Sequence, residues 1–304
     1  MIDLKINKPY IALLISITSV STAAILIKTV SFHEQFPLSV AFYRLLFTTI
    51  LVFPFVIFRK KIRQEILKLS KESIIIMLFI GLILAAHFAF WISSLGRTSV
   101  ASSVILVTAH PLLVGPVSHY FLKEKLSKAN TIGILISVIG VIILVYGNNS
   151  ISMGALDTLE GNILAILGGI AAGLYILGGR KIRKSVSVWS YAFVVYAIAT
   201  IVLFFLCIIS NSPINGITIK DYSLIFIMAI FAGILGHTLY NWSLEFVRAS
   251  IASVVLLGEP IGSSILAYVL PWISQTPSNY TIIGGAIILT GIYLTAKNNK
   301  IKIT

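Results

Sequence analysis

The sequence predicts a ten-helix membrane protein, an all-α polytopic chain built from two inverted five-helix repeats, and three observations predict it. The first is composition. Hydrophobic residues make up 58% of the 304 residues, charged residues only 11%, and mean hydropathy is +1.00. A soluble domain is typically about 25% charged and about 45–50% apolar, so a water-soluble enzyme, a disordered chain and a nucleic-acid module are excluded. The second is the presence of ten apolar runs, each near the length of about 20 residues that crosses the hydrocarbon core. The third is a sequence block that recurs in the second half of the chain.

The runs are expected at residues 9–30, 36–58, 74–95, 99–121, 129–147, 161–179, 188–209, 221–243, 248–270 and 279–297. The first is too long for the apolar stretch of a signal peptide, and it carries Lys28 at its outer end, where a long side chain snorkels to the interface. The second contains Arg44, the third His87 and Trp91, and the fourth the pair His110–Pro111. Glycines mark the fifth and sixth. The seventh holds Cys207, the single cysteine of the chain, which excludes an intrachain disulfide. The eighth carries His237, Tyr240, Asn241 and Trp242, and the ninth carries Glu259–Pro260.

Charge sets the sidedness. With the N-terminus inside, only Lys28, Arg97 and Lys220 of the 23 basic residues fall on the outer side, and Arg44 alone lies within a span. All the others are inner, which predicts cytoplasmic termini and an even number of spans in the plasma membrane. The net charge of +13 is therefore read as loop charge rather than as a nucleic-acid footprint.

The repeat is visible by eye. Residues 98–102 read TSVAS and 249–253 read ASIAS; residues 132–140 read IGILISVIG and 283–291 read IGGAIILTG. The HP of His110–Pro111 matches the EP of Glu259–Pro260 after a short gap. The units are 9–147 and 161–297. Five spans is an odd number, so the two copies insert with opposite orientation, which is a transporter signature.

These segments carry a resemblance. The first half contains PLSVAFYRLLF, HFAFWISSLGRTSVASSVILVTAHPLLVG and FLKEKLSKANTIGILISVIGVIIL, and the second contains GLYILGGRKIRK, RASIASVVLLGEPIGSSILAYVL and IIGGAIILTGIYL. Together they resemble the tandem EamA domains of the drug/metabolite transporter superfamily, over almost the whole chain. The resemblance implies a basket of ten helices. The third, fourth, eighth and ninth spans would surround a central cavity, with the fifth and tenth as supporting or contact helices. The sequence departs from the family pattern in the first span, SVSTAAILIK, and in the ninth loop, LPWISQTP.

Ionisable groups inside a span cost about 2.5–3.5 kcal/mol on insertion scales and default to functional candidates. Glu259 precedes Pro260, which lacks an N–H and frees a carbonyl, so a polar break is expected there. Such a carboxyl suits a cationic substrate group or a transported proton. His110, before Pro111, is its counterpart, and a His110–Glu259 relay or clamp is one expectation. Arg44 is expected to anchor a substrate carboxylate or to sit in a fixed pair with an acid or helix carbonyls. His87 and Trp91 share one helix face, and His237, Tyr240 and Asn241, with Trp242 beside them, form a second, giving an aromatic wall or simple packing. Gly133, Gly140 and Gly147, with Gly284 and Gly291 in the second copy, recur every seven residues and suit close helix approach.

The leading functional reading is a secondary transporter, an exporter of a small organic metabolite such as an amino acid or amphipathic compound, with proton coupling as an option. A membrane-embedded lipid-modifying enzyme and a non-transporting interaction protein are the alternatives. The expected partners are a small-molecule substrate and the lipid bilayer, with a homodimer as one assembly. No catalytic constellation, metal cluster, cofactor or nucleic acid is expected.

Overall fold

The structure, a computed structural model, describes residues 8–32, 35–98, 100–148, 159–269, 276 and 278–297. Among these residues, nine helices are long and apolar enough to cross a membrane, and Lys128–Leu144 is a shorter apolar helix that completes ten. Several expected spans are broken by the fold. The first is α1 (Lys8–Val20) and α2 (Thr22–Thr29), bent at Ser21. The second and third are α3 (Pro37–Phe58) and α5 (Lys71–Ser94), joined by a short helix α4 (Lys60–Leu67). The fourth is α6 (Val100–Thr108) and α7 (Pro111–Phe121). The fifth, sixth and seventh are α8 (Lys128–Asn148), α9 (Leu159–Ile182) and α10 (Val188–Ile209). The eighth runs through α11 (Ile219–Met228), a π-helical stretch Ala229–Thr238 and α12 (Leu239–Ser243). The ninth is α13 (Ala249–Val255), a 3-10 turn Leu256–Gly258 and α14 (Glu259–Val269), and the tenth is α15 (Asn279–Ala296). The Lys28 side chain and most of the ninth loop lie outside the described residues.

Local chemistry fixes several starts. Ser70, Ser187, Thr218 and Ser278 each accept a hydrogen bond from the backbone N–H three residues on, capping α5, α10, α11 and α15. Ser127 does the same for Asn130 at the start of α8. Ser127 and Ser278 hold equivalent places in the two halves.

The inverted repeat is legible in how the halves touch. A Cβ on Gly140 would lie 2.9 Å from the Gly284 carbonyl oxygen, and one on Gly133 would lie 2.7 Å from that of Gly291. The low-numbered glycine of each helix faces the high-numbered glycine of the other, so α8 and α15 run antiparallel. Matched helices can do so only if the halves are inverted. Between these contacts Ser137 Oγ donates to the Ile288 carbonyl at 3.4 Å, and on α3 and α10 the Thr49 and Thr200 hydroxyls meet at 3.1 Å. Both pairs are separated by 151 residues, the offset of the sequence repeat. A pseudo-twofold axis therefore passes between them. In lipid, apolar burial gives little drive for helix association, so backbone approach and interhelical hydrogen bonds carry it. The outer faces of α8 and α15 present Ile132, Leu135, Ile139, Ile282 and Leu289.

On the face that carries the basic loops, Glu65 of α4 clamps the start of α10. Its carboxylate accepts from the Ser187 backbone at 2.9 Å, from the Ser187 hydroxyl, and from Ser190 Oγ at 2.5 Å. Partial burial pushes this carboxyl up, but the serine hydrogen bonds and nearby Arg183 outweigh it and hold it below the usual carboxylate range. A carboxyl depressed in the folded state stabilises above its unfolded value, and that contribution is lost as pH falls through the folded value. Thermal stability of Glu65→Gln is therefore expected to fall below wild type at neutral pH. The gap should close in acid, below about pH 4, as measured by thermal melts in detergent.

Candidate substrate site

The breaks in the spans converge with the buried polar groups. Arg44, on the second span, is 1% exposed, and its Nε and Nη1 have no hydrogen-bond partner. Its guanidinium carbon lies 4.5 Å above the Phe88 ring and 5.9 Å from that of Trp91. Cation–π contact of this kind contributes about 2 kcal/mol when desolvated. The opposing charge is Glu259, the first residue of α14, which acts on Arg44 electrostatically without forming a close ion pair among the described residues.

The third span supplies one wall. His87 Nδ1 lies 2.9 Å from the Gly168 carbonyl, and its ring stacks parallel to Trp91 with centroids 5.9 Å apart. A carbonyl only accepts, so Nδ1 carries the proton and the neutral ring leaves Nε2 as an acceptor. The glycine face of α9 makes this approach feasible. A Cβ on Gly168 would lie 3.2 Å from the Trp91 nitrogen, and one on Gly169 would lie 2.8 Å from the Val107 carbonyl oxygen. Trp91 Nε1 has no partner.

The eighth span supplies the opposite wall. His237 sits on the π-helical stretch and meets the rings of Phe88 at 5.4 Å and Tyr175 at 6.4 Å. Asn241 is fully buried and donates to the hydroxyls of Tyr175 at 2.5 Å and Tyr196 at 3.2 Å, while Tyr196 meets Thr238 at 3.2 Å. Tyr240 is buried with its hydroxyl unpartnered. Glycines again permit the packing: a Cβ on Gly233 would collide with the Thr48 side chain.

His110 and Glu259 both lie at helix breaks, in front of Pro111 and Pro260. The expected His110–Glu259 pair is not formed. No hydrogen bond or ion pair joins the two residues, and His110 Nδ1 is unpartnered. Trp242 also departs from the expected wall: its ring packs on Phe246 at 5.0 Å, near the end of the span. The site thus joins Arg44, His87, Trp91, His237, Asn241 and Glu259 with three residues that sequence reasoning did not single out, Phe88, Tyr175 and Tyr196. Phe88 lies between two chosen positions on the same helix, and Tyr175 stands in the quoted block GLYILGG. Tyr196 carries no local signal. A separate cavity of about 380 Å³ lies between α3, α5, α9 and α10, lined mainly by apolar residues such as Leu82, Phe90, Leu164 and Val202 and also by Arg97 and Glu160.

Two broken helices, a buried cation with unpartnered donors, an acid at a helix break and several aromatic rings are thus grouped among the spans of the two inverted halves. Comparison with known proteins agrees in both halves: the model of the EamA-like transporter family matches residues 7–146 and 159–297. The chain belongs to the EamA-like transporter family. Membership makes it a multi-pass membrane protein of a transporter family. Among similar proteins, "Uncharacterized transporter YyaM" of Bacillus subtilis is 25% identical over 79% of this chain and 77% of that protein. An "Uncharacterized transporter" of Archaeoglobus fulgidus is 20% identical over 93% of this chain and 94% of its own length. A solved crystal structure superposes with a TM-score of 0.76 at 18% identity, covering 95% of this chain and 97% of the other, and so shares the fold.

Proposed function

We propose that this EamA-family protein is a secondary transporter that exports a small organic metabolite, an amino acid or amphipathic compound, across the plasma membrane by alternating access. The basic residues concentrated in one set of loops support a cytoplasmic location for both termini. The observation that carries the reading is Arg44, a charge held inside the bilayer with unsatisfied donors. A buried group of this kind is costly unless a ligand completes it. The rings of Phe88, Trp91 and His237 supply the apolar surface that an organic substrate needs.

Proton coupling is assigned to Glu259. A carboxyl that alternates between charged and neutral forms, as the halves expose it to one side and then the other, links proton movement to substrate movement. Glu259→Gln keeps shape and hydrogen bonding but cannot titrate. Substrate accumulation driven by a pH gradient in proteoliposomes should be abolished in this variant, with counterflow at least partly retained. Parallel loss of both activities assigns Glu259 to substrate binding instead. Unchanged kinetics and pH dependence in the well-folded variant would remove it from the mechanism.

A further inference from the structure

Among the described residues, the ion pairs that join the two halves differ between the two faces of the membrane domain. On the basic face, the Glu124 carboxylate in the α7–α8 loop is engaged through both oxygens. Oε1 accepts from Arg180 Nε at 2.6 Å and Oε2 from the Ala249 backbone N–H at 2.9 Å. Arg180, at the end of α9, also donates through Nη1 to the carbonyls of Leu244 and Glu245 at 2.6 and 2.8 Å. One acid of the first half therefore ties down the ends of the sixth and eighth spans and the start of the ninth, all in the second half. Arg248 adds a bond from Nη1 to the Lys125 carbonyl at 2.8 Å. The Arg180 and Glu124 side chains are only 11% and 7% exposed, whereas the ion pair between halves on the opposite face, Arg97–Glu160, is 44% and 70% exposed. The sequence is asymmetric in the same sense. The loop FLKEKLS of the first half carries Glu124, and the corresponding PWISQTPS of the second contains no acid.

We infer that the Glu124–Arg180 pair is the gate of the basic face, and that it must separate before the central site opens to that face. The inference rests on the transporter reading for its purpose; the latch itself concerns only which face opens. In the closed state both charges are shielded from water and satisfy each other. Opening wets the face and hydrates them separately. Removing one partner leaves the other uncompensated in the closed state alone, so the balance shifts toward the state open on the basic face.

The test reads accessibility, not flux. Val114, fully buried on α7 between His110 and Glu124, is replaced by cysteine in a Cys207→Ala background. A membrane-impermeant maleimide is applied to membrane vesicles of each orientation, with Lys61→Cys, exposed on the basic loop, marking the side. Glu124→Gln is expected to raise labelling from the basic face about tenfold and to leave labelling from the other face unchanged. Arg180→Gln should act alike, and the double variant should add little, as for two partners of one interaction. Arg180→Lys keeps the charge but not the fork of donors, and a smaller rise on the same face is expected. This variant decides the matter if the glutamine variants do not fold. Unchanged labelling, or an equal rise from both faces, overturns the gate, because general loosening has no side. A one-sided rise in a protein that moves no solute keeps the latch and removes the transporter reading. Flux without the one-sided rise does the reverse.

Discussion

Arg44→Ala is expected to abolish transport while the helices still assemble. A charge-assisted hydrogen bond contributes about 1.5–3 kcal/mol, so loss of the anchor lowers substrate binding about 10- to 100-fold. The variant also strips Glu259 of the charge opposite it. Arg44→Lys keeps a cation but loses the flat face that packs on Phe88, and an intermediate loss is expected. Flux in proteoliposomes, with size-exclusion profiles as a check on folding, measures both. Full activity in a well-folded Arg44→Ala would assign the guanidinium a structural role.

The largest effect on stability is expected at the α8–α15 contact. A Cβ on Gly284 would lie 2.5 Å from the Leu144 backbone nitrogen and 2.7 Å from the Gly140 carbonyl oxygen. Backbone cannot swing aside as a side chain can, so the helices must separate. Overpacking of this kind costs about 1–3 kcal/mol, and more where backbone must move. Gly284→Val is expected to lower the melting temperature by about 5–10 °C. The neighbouring Gly285→Ala is the control. Its Cβ would find the nearest atom at 3.7 Å, and alanine favours the helix, so its melting temperature should match or exceed wild type. Equal losses at both positions would place the sensitivity elsewhere.

The parts of the fold set by local composition were legible in the sequence. Apolar runs marked the spans, and glycines at matching positions marked the packed pair α8 and α15. Pro111 and Pro260 stood at two real breaks, where the missing N–H leaves a helix hydrogen bond unmade, although Pro54 and Pro116 lie inside α3 and α7 without ending them. The bend at Ser21 was not visible. Its hydroxyl bonds the carbonyls of Ile17 and Glu259, the latter 238 positions away, so the second contact is tertiary. The π-helical stretch Ala229–Thr238 was not visible either. There Thr238 bonds the Gly233 carbonyl five residues back, and Gly233 packs on Thr48. This wider turn changes the register of side chains along the span, which ordinary helical spacing does not anticipate. Arg44 and Glu259 stood out as charges in apolar runs, but the rings that Arg44 lies against, Phe88 and Trp91, are set by the packing of the second span on the third. Glu124 and Arg180 were hidden among basic loop residues, where an acid reads as solvated surface until the fold buries it.

The most direct measurement is release of solute from proteoliposomes. Vesicles containing the protein are loaded with uniformly labelled small metabolites from a cell extract, diluted into empty buffer and compared by mass spectrometry with vesicles lacking protein. The account predicts selective loss of a few small organic compounds bearing charged and apolar groups, stopped by Arg44→Ala. Retention of every compound under imposed solute and pH gradients, or release that Arg44→Ala leaves unchanged, would contradict it.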